Sequence, residues 1–122
     1  MLPTTLCGLQ VAAGMSHSLF VTSEEVVYAV GDNTYGQLGD ETSTSCRIPI
    51  ATMGAHSVTQ VSAGKFHSIF LTSSGRVYTT GINQHGQLGD GTTTTRIEKT
   101  RVMTGSSVSQ VVAGDHHTLF VI

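Results

Sequence analysis

The decapeptide Gly31-Asp32-Asn33-Thr34-Tyr35-Gly36-Gln37-Leu38-Gly39-Asp40 returns 50 residues later as Gly81-Ile82-Asn83-Gln84-His85-Gly86-Gln87-Leu88-Gly89-Asp90. The same spacing relates Gly14, Gly64 and Gly114, then His17, His67 and His117, then Phe20, Phe70 and Phe120. Self-similarity at a fixed period of this length marks a repeat architecture. Each copy is one supersecondary unit, too small to bury its own apolar face, so the copies must stack. Residues 1–8 precede the pattern and are expected to be loosely ordered. Repeat 1 is expected over 9–58, repeat 2 over 59–108, and the start of a third over 109–122.

Within each copy the pattern is that of strands. His17-Ser18-Leu19-Phe20-Val21-Thr22 and His67-Ser68-Ile69-Phe70-Leu71-Thr72 alternate with a period of two, as half-buried strands do. Each follows a short apolar stretch and a glycine. Ser73-Ser74-Gly75 then reads as a hairpin turn in which Gly75 takes positive φ. Glu25 holds the equivalent place in repeat 1. Either that turn differs, or repeat 1 carries strain of about 1 kcal/mol. Val26 to Val30 and Arg76 to Thr80 form the next strand, ended by Gly31 and Gly81. In the loop that follows, Asn33 and Asn83 are expected to bond nearby backbone. Gly36, Gly39, Gly86 and Gly89 permit sharp turning, and Gln37 and Gln87 tie the loop to neighbouring backbone. Leu38 and Leu88 plug the core. Thr/Ser-rich turns at 41–45 and 91–95 lead to a weakly patterned strand over 48–53 and 97–103. Three or four short antiparallel strands per copy fit a solenoid or a propeller, and four-stranded units of about fifty residues favour the propeller.

Bulk properties exclude several function classes. The charged share is 11%, against about 25% in typical domains, and the net charge is −2. The six Lys and Arg residues make no basic stripe of the kind that phosphate neutralisation needs, so nucleic acid is not an expected partner. Cys7 and Cys46 sit at inequivalent positions without metal-ligand spacing and read as reduced thiols of a cytoplasmic or nuclear protein. Neither a signal peptide, a glycosylation acceptor nor a membrane-spanning run is evident.

The histidines in register suggest a metal at first sight. Zinc, however, needs ligand nitrogens about 2 Å from one ion, whereas equivalent positions on stacked sheets lie about 10 Å apart. The expected role is structural: a histidine that bonds backbone once per copy. A Ser18/His17/Asp40 triad can be drawn, but it lacks a nucleophile elbow and recurs with the repeat. The glycine loop lacks the order of a phosphate cradle and the Lys-Ser/Thr of a P-loop, and its aspartates lack calcium-loop spacing. Neither enzyme activity nor a cofactor is expected.

Ala63-Gly64-Lys65-Phe66-His67-Ser68, then Val77-Tyr78, then Gly81-Ile82-Asn83-Gln84-His85-Gly86-Gln87-Leu88-Gly89 resembles the repeat of the regulator of chromosome condensation family. The resemblance covers nearly all of the chain from Leu9 onward. It implies a seven-bladed β-propeller, of which this chain holds two four-stranded antiparallel blades and the start of a third. Seven blades at fifty residues each take about 350 residues. The family usually has Trp where this chain has Val30 and Thr80, so smaller groups must pack between blades. Two blades leave an apolar face open at each end, which implies either further blades in a longer propeller or self-association. The resemblance implies a scaffold that binds proteins. The alternative is exchange of guanine nucleotide on a small GTPase, as in the founding member. A third reading is the interaction domain of a ubiquitin ligase or another multidomain protein. Candidate contact loops are 41–46 and 91–96, with the turns at 54–57 and 104–107.

Overall fold

The computed structural model describes residues 10–54, 57–103 and 107–122. The N-terminal lead, Cys7 and the central parts of the turns at 54–57 and 104–107 lie outside the described residues. Among the described residues ten strands make up three antiparallel sheets, and no helix occurs. The first sheet orders β1 (Gln10–Ala13), β2 (His17–Val21), β3 (Val27–Gly31) and β4 (Cys46–Thr52) as a meander. The second repeats it with β5 (Val58–Ala63), β6 (His67–Thr72), β7 (Val77–Gly81) and β8 (Arg96–Val102). The third holds β9 (Gln110–Ala113) and β10 (Thr118–Val121). These are two propeller blades and the inner pair of strands of a third. Among the described residues no helix is long and apolar enough to cross a membrane.

Blades pack face to face, and the register decides which side chains meet. In blade 1, Leu19, Ala29 and Ile50 lie side by side across β2, β3 and β4, with Val21, Val27 and Thr52 in the next row. Leu19, Val21, Val27 and Ala29 are buried, and they form one core with Val58, Val61 and Phe70 of blade 2. The opposite face of blade 2 repeats the arrangement one step on. There Ile69, Leu71 and Val77 pack with Val111 and Phe120 of the third sheet. Leu38 and Leu88, each fully buried, seal the blades from the loop side.

Neighbours, not sequence, set the burial of equivalent strands. β2 alternates between buried and half-buried residues. β6, with blades on both sides, is buried at all six positions. β10, covered on one side only, alternates between half-buried and exposed. The outer strands start earlier than the sequence pattern suggested, at Cys46 and Arg96. Pairing of β3 with β4 shifts between Ala29 and Gly31, and the residues bypassed include Pro49. A proline has no amide hydrogen for a ladder, and an outer-strand irregularity is where it does least harm.

The hairpin turn joining β2 to β3 settles the question raised by Glu25. Gly75 has φ +80° and Glu25 has φ +63°, so the two turns adopt one conformation. Thr22 N bonds Val26 O at 2.9 Å, as Thr72 N bonds Arg76 O at 2.9 Å. The conformation is held because the turn docks on the strand that follows. Val58 N donates to Glu25 O and Val108 N to Gly75 O, both at 3.1 Å. Repeat 1 therefore carries strain that repeat 2 avoids. Glu25→Gly is expected to stabilise the chain by about 0.5–1 kcal/mol, read as a higher denaturation midpoint. An unchanged or lower midpoint would show that the turn is unstrained.

Candidate interaction surface

The site is built on a dipeptide whose two side chains point opposite ways. His17 and Ser18 open β2, His67 and Ser68 open β6, and His117 and Thr118 stand at the same place in the third sheet. Alternation along a strand sends the histidine to one face and the hydroxyl residue to the other. His17 Nε2 therefore meets Ser68 Oγ of the next blade at 2.9 Å. His67 Nε2 meets Thr118 Oγ1 at 3.2 Å. Each hydroxyl in turn donates to a loop carbonyl of the preceding repeat, Ser68 to Gln37 O and Thr118 to Gln87 O. A hydroxyl has one proton to give. With that proton on the carbonyl, the oxygen accepts from the imidazole, so Nε2 carries the ring hydrogen. Nε2 of each histidine thus meets a side-chain hydroxyl, and the backbone of the next repeat, at His67 for His17 and at His117 for His67, also acts on the ring.

Close packing fixes the ring. Gly14 N bonds His17 O at 2.8 Å in the β1–β2 hairpin, which folds the imidazole back over Gly14. A Cβ at Gly14 would stand 2.2 Å from His17 Cε1 and 2.5 Å from Gly64 O. Gly64 and Gly114 meet the rings of His67 and His117 in the same way. Burial lowers the pKa of His17 to about 4, with the backbone of His67 and the charge of Asp32 pulling the other way. Burial, followed by repulsion from His17, lowers His67 to about 4. Both rings are neutral at neutral pH. Among the described residues no three His, Cys, Asp or Glu side chains converge on a point that a metal ion could occupy.

Behind the rim, one asparagine per blade shapes the long loop. Asn33 Oδ1 accepts from Leu38 N at 2.9 Å. Its Nδ2 lies 2.9 Å from Asp40 Oδ1, 3.0 Å from Thr42 O and 3.1 Å from Thr44 O. Asn83 repeats this with Leu88 N, Asp90, Thr92 and Thr94. Gln37 Oε1 accepts from Tyr35 N and Gln87 Oε1 from His85 N. Gln37 Nε2 also reaches Asp32 Oδ2 at 3.3 Å. Ile82 replaces that aspartate in repeat 2, and Gln87 Nε2 is buried with no partner among the described residues. Hydrogen bonds from Thr34, outweighing burial, hold the Asp32 carboxyl below its usual range. Burial pushes Asp90 up, but bonds from Thr92 and Arg96 prevail and bring it to about 2.

Gly31 and Gly81 end β3 and β7, both at positive φ. Gly36 is tied to the next blade: a Cβ there would lie 2.5 Å from Ile97 Cα. Gly86, with no outer strand beyond it, meets nothing closer than 4.0 Å. Gly39 and Gly89 face the rings of Phe70 and Phe120. Thr80, in the place of the expected Trp, puts its hydroxyl 2.8 Å from Gly36 O of the preceding blade and 2.9 Å from Arg96 O. A small side chain here couples blades by hydrogen bonding where a large ring would do so by area.

This frame presents side chains that differ from copy to copy. The β1–β2 hairpin tip carries Met15, and its equivalents are Lys65 and Asp115. All three line a depression of about 310 Å³ beside the paired glycines. Backbone bonds Met15 N to Lys65 O and Lys65 N to Asp115 O, each 3.2 Å, hold the tips in a row. Next to them Tyr35 packs on Phe66, and His85 on His116. Residues 41–45 and 91–95 are exposed throughout, and the ion pair Lys99 Nζ to Glu41 Oε1 at 2.7 Å spans the two outer edges. Of the candidate contact loops 41–46 and 91–96, residues 41–45 and 91–95 are exposed, while Cys46 and Arg96 begin the outer strands. The hairpin tips were not among the candidates; their signal is unlike residues between a repeated glycine and a repeated histidine.

Two family models, each described as Regulator of chromosome condensation (RCC1) repeat, match this chain. One matches residues 9–37 and 58–87, the other 24–71 and 74–121. The chain belongs to the regulator of chromosome condensation repeat family. Among solved structures, human WBSCR16 is 33% identical with a TM-score of 0.75, over 86% of this chain and 29% of that one. Prp20p from Saccharomyces cerevisiae, described with its binding properties to Gsp1p and histones, is 18% identical with a TM-score of 0.82, over 98% and 32%. A structure of Kap60 bound to yeast RCC1 (Prp20) matches at 22% identity and a TM-score of 0.73, over 92% and 29%. The chain spans about a third or less of the length of each. No curated protein matches it. The RCC1 repeats of this chain thus keep the family's blade.

Two outcomes test this geometry. Asn33→Ala strips the partner from Leu38 N and from the loop carbonyls, and is expected to destabilise by about 2–4 kcal/mol in chemical denaturation. A loss below about 1 kcal/mol would show that the loop holds without it. For the histidines, the folded pKa of about 4 lies below the ordinary 6.5. Under pH 6.5 the unfolded chain takes up protons that the folded chain refuses. Stability is therefore full above pH 6.5 and drains as pH falls toward 4, by on the order of 3 kcal/mol per ring. Asp90 adds a second loss between its ordinary 3.8 and about 2. Denaturation midpoints that are flat between pH 6.5 and 4 would contradict the first window.

Proposed function

We propose that this chain is a protein-binding scaffold segment, whose blades hold a rim of variable side chains against a protein partner. The observation that carries this reading is the contrast within each repeat. The His, Asn and Leu positions make equivalent bonds in both blades, while the hairpin-tip residues Met15, Lys65 and Asp115 differ outward, as do Glu41 and Gly91 at the head of the exposed turns. A rigid frame with changeable loops is how propellers acquire partners without altering their core. The reading involves no bond chemistry and no cofactor, and expects the cytoplasm or nucleus.

The second reading is regulation of a small GTPase, favoured by the likeness to Prp20p and its binding properties to Gsp1p. Such a protein acts by binding the nucleotide-free GTPase more tightly than the loaded one. The 18% identity keeps this behind the scaffold reading.

The rim is tested with the double variant Ser43→Arg/Thr93→Arg, at two exposed positions. Affinity purification of the intact protein is expected to enrich partners that the variant loses. A bound set unaffected by the variant would overturn the assignment of the rim. Accelerated release of fluorescent GDP from a small GTPase would move the reading to nucleotide exchange.

A further inference from the structure

A pair of rings crosses each boundary between repeats, and the second pair is made of two imidazoles. At the first boundary Tyr35, in the long loop, packs on Phe66 of the next hairpin tip, with ring centres 5.4 Å apart and a tilt of 59°. At the second boundary the equivalent residues are His85 and His116, with centres 4.9 Å apart and a tilt of 57°. Backbone holds the two pairs alike. His85 N donates to Gln87 Oε1 at 2.8 Å, as Tyr35 N does to Gln37 Oε1 at 2.9 Å. Gly114 N donates to His117 O at 2.9 Å and closes the hairpin that carries His116, as Gly64 N does with His67 O around Phe66.

The change of residue type alters what the pair can do. Tyr35 and Phe66 offer each other ring faces and edges, whereas a neutral imidazole also carries a nitrogen lone pair that binds metals. An ion held about 2.0–2.1 Å from one nitrogen of each ring lies roughly 3.2 Å from each ring centre. Two such rings at neighbouring corners of an octahedral or tetrahedral shell then have centres roughly 4.5–5.2 Å apart. The 4.9 Å between His85 and His116 falls inside that span. Both residues are exposed, so each ring is free to turn a nitrogen toward a shared ion, and water can fill the other corners. This openness is a property of the position in the blade. Phe66, the equivalent of His116, is only half-buried although blade 2 is covered on both faces.

We infer that His85 and His116 together bind one divalent transition-metal ion, of which zinc is the reference case, with water in the remaining positions. Imidazole nitrogen suits zinc, copper and nickel, whereas magnesium and calcium prefer oxygen. Two protein ligands make a weaker site than the three or four of catalytic and structural zinc centres. That accords with the lack, among the described residues, of three His, Cys, Asp or Glu side chains grouped to hold an ion. The ion ties the long loop of blade 2 to the hairpin tip of the third sheet. It binds the packed state that brings the rings together, so it stabilises the junction between these two repeats by mass action. The inference uses no part of the protein-binding reading and stands or falls apart from it.

Calorimetric titration of the full chain with zinc chloride tests it. Saturable one-to-one binding is expected, and magnesium chloride is expected to give none. The double variant His85→Tyr/His116→Phe rebuilds the ring pair of the first boundary, so it is expected to keep its strands by circular dichroism. Its zinc affinity is expected to fall by more than the roughly 10–100-fold that loss of a ligand's supporting group costs. Zinc is expected to raise the melting temperature of the native chain and not that of the variant. On the native chain itself, substoichiometric copper(II) is expected to broaden the imidazole proton signals of His85 and His116 together, ahead of those of His17 and His67. Three outcomes would overturn the inference: a native chain that binds no zinc, a double variant that binds zinc as the native chain does, or copper broadening that spares either ring of the pair.

Discussion

Everything in this fold leans on a neutral imidazole pressed against bare backbone and donating its hydrogen across a blade boundary. The ring has room only because Gly14 and Gly64 lack a Cβ. It stays neutral because burial disfavours the charged form. Its partner hydroxyl spends its own proton on the loop carbonyl of Gln37 or Gln87. One hydrogen-bond chain thus joins the hairpin of one repeat, the strand of the next and the long loop behind. A buried polar chain of this kind is stabilising when its members are paired; Nε2 and the hydroxyl are paired here, while Nδ1 of His17 and of His67 is buried with no hydrogen-bond partner among the described residues.

The apolar core and the polar chain solve different problems. Burial of Leu19, Val21, Phe70 and Val61 supplies a driving force without direction. Sheets packed by apolar area alone could slide. The His-hydroxyl pair, the Gln10 and Gln60 contacts to the next strand and the Thr80 bond to Gly36 fix the offset of one blade on another. With the offset fixed, the hairpin tips fall into a row and the exposed turns take set places on the rim.

Much of this was legible in the sequence because the period is strict. The repeat, the antiparallel strands of each copy, the blade architecture and the positions of Leu38 and Leu88 follow from spacing and alternation. The contacts between blades did not, because their partners lie 51 residues apart for His17 with Ser68 and 44 for Thr80 with Gly36. No local pattern encodes such a pairing. The equality of the turns at Glu25 and Gly75 was undecidable locally, since it is docking on Val58 and Val108 that holds them. The orphaned amide of Gln87 arises from one substitution, Ile82 for the aspartate of repeat 1, whose effect depends on a loop shape that spacing alone does not give. The outer strands were blurred because the pairing shifts between Ala29 and Gly31 and between Thr79 and Gly81 break their alternation.

The most direct measurement is long-range proton–nitrogen NMR of the histidine side chains in the intact chain. If the imidazoles clamp the blades as described, His17 and His67 give the spectrum of a neutral ring with its hydrogen on Nε2. That spectrum persists until the pH nears about 4. A hydrogen on Nδ1, or a ring that charges near 6.5, would mean that the histidines do not bridge the repeats.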